Sequence, residues 1–294
     1  MLLDQERIGA QLANCAIGHT LFYYQSVPST MPIAHALAAD PASHSGTIVV
    51  AEEQTAGRGR QQRRWETPLG QALLVSFLFK APFPVPPMFF PMLTGLAMLQ
   101  GIQRTLPPLA PYLGLKWPND LLLGTGMADA GKVGGILIES IYRGDSTEAI
   151  IVGCGLNVYQ AQNLLPPTPP GAPPATSLQH YLQTRPKLAA TCLPIDRTAL
   201  LIQICQAWAQ LNTDPTLTPA TVQQRWAAHL WTLQQQVVVQ TTDIYGESVQ
   251  IAGKAVAVTA DGRLVVVSAT GERHRFAAGD VSLRAAMPGA TLPK

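Results

Sequence analysis

Four short segments of the 294-residue chain concentrate side chains able to do chemistry. Gln54 to Trp65 reads QTAGRGRQQRRW, which sets Gly57 and Gly59 among Arg58, Arg60, Arg63 and Arg64. Guanidinium groups bind carboxylate or phosphate in bidentate fashion, and glycine lets a backbone move and approach a ligand closely. The segment suits a mobile anion-binding loop; a solvated basic loop or an arginine-glycine contact to nucleic acid fits the same residues. Lys116-Trp117-Pro118-Asn119-Asp120 makes a sharp polar turn, in which Asn119 and Asp120 either cap their own backbone or reach a nucleobase or a metal. Gly126 to Lys132 matches the first seven positions of a phosphate-binding P-loop. Val133 stands where a magnesium-binding hydroxyl is required, and an apolar β-like run from Gly134 replaces the helix whose N-terminus would hold phosphate. That excludes a P-loop and leaves Lys132 as a lone ammonium at a strand entrance. Gly153-Cys154-Gly155-Leu156-Asn157 closes a strand with small residues, leaving space for a ligand against the backbone or simply forming a turn.

These segments need elements to hold them. Residues 47–54 and 72–80 read as strands flanking the arginine-rich loop. Met88, Met92, Leu96, Leu99 and Ile102 recur at helical spacing, predicting a helix that ends before Pro107 and Pro108. Short strands follow over 113–117, 121–123, 135–142 and 148–156. The proline-rich run from Asn163 to Ala175 reads as an extended connection or surface loop. Leu200, Leu201, Ile204, Cys205, Trp208 and Leu211 form one helical stripe, and Val222, Trp226 and Leu230 a second. After Trp231 the texture changes to short strands with turns at Asp261-Gly262 and Thr270-Gly271, which predicts a small all-β barrel. The expected class is α+β, a mixed sheet flanked by helices over residues 1–232 with an ordered core from about residue 22, followed by a barrel over 233–294.

Composition narrows the function classes. Charged residues make up 13% of the chain against roughly 25% in average proteins, and hydrophobic residues 47%, so disorder does not describe it. A net charge of +2 is too small for coating nucleic acid by bulk charge. Only six of the 20 basic residues are lysine, which makes the four arginines within seven residues conspicuous. Cys15, Cys154, Cys192 and Cys205 form no Cys-x-x-Cys pair and suggest neither a zinc site nor a disulfide framework. The start of the chain carries Asp4, Glu6 and Arg7 without a signal-like apolar stretch, and the longest apolar segment falls short of the ~20 residues of a membrane span. A soluble cytoplasmic protein is the expectation.

In order and spacing, Ser29-Thr30, GRGRQQRRW, KWPND, GKVGGILIE, GCGLN and a terminal GDVSLR resemble biotin protein ligase over residues 26 to about 286. The resemblance implies a class II synthetase-like catalytic fold with a small SH3-like barrel. It implies a reaction in which biotin and Mg-ATP give biotinyl-5'-AMP and pyrophosphate, and the biotin then passes to a lysine of the biotin carboxyl carrier protein of acetyl-CoA carboxylase. Lys132, Arg58 and Arg60 match the family's positions for charge neutralisation. Ser29, Thr30, Met31, Gln54, Gly57, Arg58, Gly59, Arg60, Lys132, Gly134 and Gly155 would line the biotin pocket. Arg60, Arg63, Trp65, Lys116, Asn119, Asp120, Lys132, Asn157 and Arg284 would serve ATP, with Asp120 near a nucleotide-borne Mg2+. Relatives commonly pair through the catalytic sheet, so a homodimer is among the implied partners; DNA and membrane are not. Where bacterial relatives often have Asp-Ser-Thr-Asn, this chain has Pro28-Ser29-Thr30-Met31, which keeps the hydroxyls and loses the asparagine. About 25 residues precede Ser26, too few for the winged helix-turn-helix domain of some members. A lipoate or octanoate ligase would share the catalytic architecture without the arginine loop and KWPND pair, and a nucleic-acid module would use the arginines and Trp65 instead.

Overall fold

The computed structural model describes residues 2–65, 67–168, 171–242, 247–277 and 279–283. In chain order the elements are α1 (Gln5–Leu12), β1 (Leu21–Val27), α2 (Thr30–Ala39), β2 (Thr47–Gln54), β3 (Ala72–Lys80), α3 (Phe90–Thr105), β4 (Leu113–Lys116), β5 (Asp120–Leu123), β6 (Gly131–Arg143) and β7 (Ser146–Asn157). They continue with α4 (Leu178–Gln183), α5 (Pro186–Cys192), α6 (Arg197–Thr213), α7 (Pro219–Ala227), β8 (Gln236–Thr242), β9 (Ser248–Val258), β10 (Leu264–Val267), β11 (Arg273–Phe276) and β12 (Asp280–Leu283). A seven-stranded sheet runs β1-β2-β3-β7-β6-β5-β4, with β1 and β2 parallel and every other neighbour antiparallel. A separate five-stranded antiparallel sheet, β11-β10-β9-β8-β12, forms the small barrel-like C-terminal part.

The two faces of the large sheet are covered unequally. Strands rich in β-branched and aromatic residues, such as β3 with only Lys80 short of full burial, read as buried on both faces. One face meets α3 and α6 in the main core, where Phe77, Phe79, Phe90 and Trp208 pack as an aromatic cluster. Each such burial is worth about 1.5–3 kcal/mol. Of the described helices, α2 packs on the other face, with a smaller cluster of Met31, Ala34, Val49, Leu78 and Ile151. This thinly covered face is where the loops converge.

An ordered start near residue 22 is contradicted: α1 is docked. Asp4 caps it by accepting from Arg7 N–H, Ile8 and Leu12 are fully buried, and Leu3 N–H donates to Glu52 at 2.6 Å. Glu52 is itself buried and paired with Arg197 of α6, whose guanidinium also reaches the Ala72 carbonyl. Tyr23 donates to the same carboxylate, and burial together with Glu52 pushes its hydroxyl up to about 12. Sequence periodicity misses α1, β1 and α2 because each is short. It does place β2 and β3 with the bounds the structure has.

The C-terminal sheet is not an appendage. Val237, Val239, Ala255, Leu264, Val266 and Phe276 belong to the same buried cluster as α3 and α6. Trp117 donates from Nε1 to the Gly262 carbonyl at 3.0 Å, and Leu230 bridges β4 at Leu115 on the way into β8.

Helices α3 and α6 cross so closely that a Cβ at Gly101 would lie 2.4 Å from Ile204 Cγ1 and 2.8 Å from its Cα. Gly101→Ala is expected to lower stability by about 1–3 kcal/mol, read as a reduced urea midpoint at unchanged m-value.

Candidate active site

Strand alternation builds the floor. Gly135 of β6 and Gly155 of β7 are directly paired, and Gly153 lies two residues along from Gly155, on the same face. With no side chains there, the face opposite the main core dips, and two side chains lie in the depression. Met31 Sδ is 2.8 Å from where a Gly153 Cβ would stand, and the Trp65 indole comes within 2.5 Å of a Gly155 Cβ and 3.3 Å of a Gly135 Cβ. Any larger residue at 155 would evict the indole. Gly134, expected among the site glycines, faces the other way; its Cβ would meet Leu121 and Met98 of the main core, because adjacent strand residues point to opposite faces.

A polar corner closes one side of the depression. Ser29 is the N-cap of α2, and Thr30 donates both its N–H and its hydroxyl to Gln54 Oε1, at 2.8 and 3.1 Å. The Thr30 hydroxyl also bonds Ser76 at 2.7 Å. Ser76 escapes the sequence motifs. Its signal is a lone hydroxyl inside the otherwise apolar run ALLVSFLFK.

The arginine segment is a closed loop rather than an open arm. Arg58 and Arg64 form an antiparallel bridge, Gly59 N–H donates to the Arg63 carbonyl, and Trp65 N–H donates to Gly57. A Cβ on Gly57 would sit 2.5 Å from the Trp65 carbonyl, so the close approach requires glycine. Gly59 carries no such demand, its Cβ falling 3.7 Å from the nearest atom. Arg60 turns inward, donating to Asn119 Oδ1 at 3.1 Å and to the Gly279 carbonyl of the small domain at 3.4 Å. Arg63 is exposed and donates to Gln61 of its own loop at 3.0 Å.

The cations gather on one carboxylate. Lys132 Nζ is 2.7 Å from Asp120 Oδ1, Lys116 Nζ is 3.6 Å from Asp120 Oδ2, and Lys132 also lies 5.8 Å from the Trp65 ring centre. Burial by itself would push the Asp120 carboxyl up. The charges of Lys132 and Lys116, the hydrogen bond from Lys132 and the charge of Arg60 prevail and hold it below the usual carboxylate range. Among the described residues, Lys132, Lys116 and Arg60 gather around the single carboxylate of Asp120, an arrangement suited to an incoming anion. With both carboxylate oxygens facing ammonium groups, Asp120 is a poor direct ligand for a metal, and among the described residues no group of three His, Cys, Asp or Glu could hold one. At the P-loop look-alike, Asp129 accepts from Thr125 and Gly126 N–H, so those amides are spent on a local turn. Asn157 reaches the site end of β7, but its amide is engaged by Thr176 and Gln160. Arg284 lies outside the described residues.

Residues 22–157 match the biotin/lipoate A/B protein ligase family, and residues 235–284 match the biotin protein ligase C-terminal domain. The biotin–[acetyl-CoA-carboxylase] ligase of Paracoccus denitrificans is 30% identical over 209 residues, covering 71% of this chain and 80% of that protein. The chain belongs to the biotin protein ligase family. A bifunctional ligase/repressor of Bacillus subtilis is 34% identical over 164 residues, 56% of this chain; the chain spans about half that relative's length, 48%. In fold, the chain is similar to a biotin protein ligase of Aquifex aeolicus solved with biotin and ATP, at a TM-score of 0.64 and 24% identity over 90% of this chain and 98% of that one. The Leishmania major biotin protein ligase solved with biotinyl-5-AMP gives a TM-score of 0.59 at 22% identity over 88% of this chain and 99% of that one. Among the described residues no single helix is long and apolar enough to cross a membrane.

Asp120→Asn leaves two largely buried lysines facing a neutral amide. It is expected to cost about 3 kcal/mol in a denaturant titration at neutral pH, the lower end for a broken buried pair because Lys132 is a third exposed. Because the folded carboxyl titrates below its ordinary value, its stabilisation is present at higher pH and disappears as pH falls through the folded value. The acid limb of the stability profile below about pH 4 should therefore flatten in this variant.

Proposed function

We propose that the chain is a biotin–[biotin carboxyl-carrier protein] ligase. It activates biotin with ATP to biotinyl-5'-AMP, releasing pyrophosphate, and transfers the biotin to a lysine of the carrier protein of acetyl-CoA carboxylase. The observation that carries this reading is the juxtaposition of a glycine floor, on which the Trp65 indole and Met31 now rest, with the Lys132, Lys116 and Arg60 cluster. Biotin has the matching polarity, a mostly apolar ring system with a polar ureido end and an anionic tail. The Thr30, Gln54 and Ser76 corner suits the ureido end.

Joining a carboxylate to an α-phosphate brings two anions together, so the site must neutralise charge without waiting for solvent to reorganise. Lys132 is the group for this task. It reaches over the depression from a strand, and its present partner Asp120 can keep Lys116 when Lys132 turns to the substrate anions. Arg60 supplies a second positive charge from a loop that also covers the intermediate, an anhydride that water would destroy. Mg2+ arrives as part of the substrate Mg-ATP and needs no cage of carboxylates here. In the second step the carrier lysine, as free amine, attacks the anhydride carbonyl; AMP leaves with its electron pair and the amine's proton is lost to solvent. The division of labour is a catalytic unit over residues 1–232 and a small domain over 233–294, whose Gly279 carbonyl touches Arg60.

ATP-dependent labelling of a carrier domain with biotin tests this directly, with the lysine-free carrier as control. Labelling with lipoate and not with biotin would replace the reading by a lipoate ligase. Lys132→Ala is expected to cut biotin-dependent pyrophosphate release by at least about 100-fold, the scale of a lost electrostatic stabiliser, with the fold intact by circular dichroism. Arg60→Ala should speed escape of the adenylate about tenfold or more in a dissociation assay, as loss of one charge-assisted hydrogen bond would.

A further inference from the structure

The backbone of Lys132 is held by a segment that no catalytic motif contains. Its N–H donates to the Pro174 carbonyl at 2.7 Å and its carbonyl accepts from Thr176 N–H at 2.9 Å, with Ala175 as its parallel bridge partner. Strand β7 pairs with β6 only from Gly134 onward, so the flank of Lys132 that β7 leaves open is filled by this strap at the end of the proline-rich run. Pro174 has no N–H to strand, and its carbonyl is the group Lys132 uses. Gly131 allows the approach, since a Cβ there would lie 2.6 Å from Thr176 Cγ2.

The strap is locked from behind by buried amides. Asn157 donates from Nδ2 to the Thr176 carbonyl at 3.0 Å, Gln160 donates from Nε2 to Asn157 Oδ1 at 2.9 Å, and Ser177 donates to the Gln160 carbonyl at 2.7 Å. Gln160 is 2% exposed, and its Oε1 has no hydrogen-bond partner among the described residues. A dry amide with half its capacity unmet is costly, and its one side-chain bond goes to Asn157. Reversing that amide would set oxygen against oxygen, so the lock depends on the donor.

We infer that Gln160 is a positioning residue for Lys132, acting through Asn157 and the 174–176 strap. This rests on the role proposed for Lys132. The ammonium sits at the end of a long side chain, so its reach depends on where the backbone stands; a misplacement on the order of 1 Å can cost about 100-fold in rate.

The test is biotin-dependent ATP–pyrophosphate exchange by the full chain, with amide hydrogen exchange at Lys132. Gln160→Leu should lower kcat about 10- to 100-fold while KM for biotin stays within about twofold, and should speed exchange of the Lys132 amide at least about tenfold. Thr176→Pro removes the N–H that Lys132 receives and should reproduce the loss of kcat by an independent route. Parental kcat in both variants overturns the inference, as does a Lys132 amide that exchanges at exposed-loop rates in the parental chain. Where Gln160→Leu does not fold, Gln160→Met, which keeps the length of the side chain and lacks the donor to Asn157, takes its place with the same expected losses. Absence of biotin-dependent exchange in the parental chain would instead sink the proposed reaction, while the amide measurement still decides the strap.

Discussion

One buried carboxylate organises the functional end of the molecule. Asp120 stands between Lys132 and Lys116, with Arg60 near enough to act on it, and the buried Lys116 ammonium in particular needs that carboxylate. The arrangement stores positive potential where water has little access, which is what a site for two anions requires. In so charge-poor a chain, the charged residues buried elsewhere among the described residues are the Glu52 and Arg197 pair that pins α1 and α6 to the sheet.

The sheet supplies the complementary half of the problem. Large residues on one face build the main core, while glycine at 135, 153 and 155 keeps the other face low enough to seat the Trp65 indole and the Met31 side chain. The same alternation that buries Ile136 and Cys154 toward the main core aims the glycines at the depression. Fold stability and site shape are thus encoded in alternate positions of the same two strands.

Much of this is legible in the chain itself, for identifiable reasons. The strands β2, β3, β6 and β7 are long apolar runs bounded by turn residues, and the chemical segments sit at their ends, so periodicity and motif agree. Gly134 against Gly135 is decided by the phase of a strand, which an apolar run with a glycine pair does not reveal. Ser76 and Gln160 lie outside every motif; their partners are 46 residues away and three residues away, and only the fold shows that Thr30 and Asn157 need them. The proline-rich run looks like a surface connection because proline cannot donate within a sheet, yet at Pro174 the strap uses only a carbonyl, and the N–H it donates comes from Thr176. The helix α1 is too short for its periodicity to stand out, and its place depends on Glu52 and Arg197, two charges that meet only after folding.

The shared core between the large sheet and the C-terminal strands carries a mechanical consequence. Because Val237, Leu264 and Phe276 melt into the same apolar mass as Phe90 and Trp208, and Trp117 is tied to Gly262, the small domain is coupled to the catalytic unit as stiffly as one helix is to the next. Relative motion there would tear a continuous packed interior instead of sliding along a wet seam. Freedom to move without opening that interior is therefore left to the arginine loop, whose closure is by backbone hydrogen bonds within the loop.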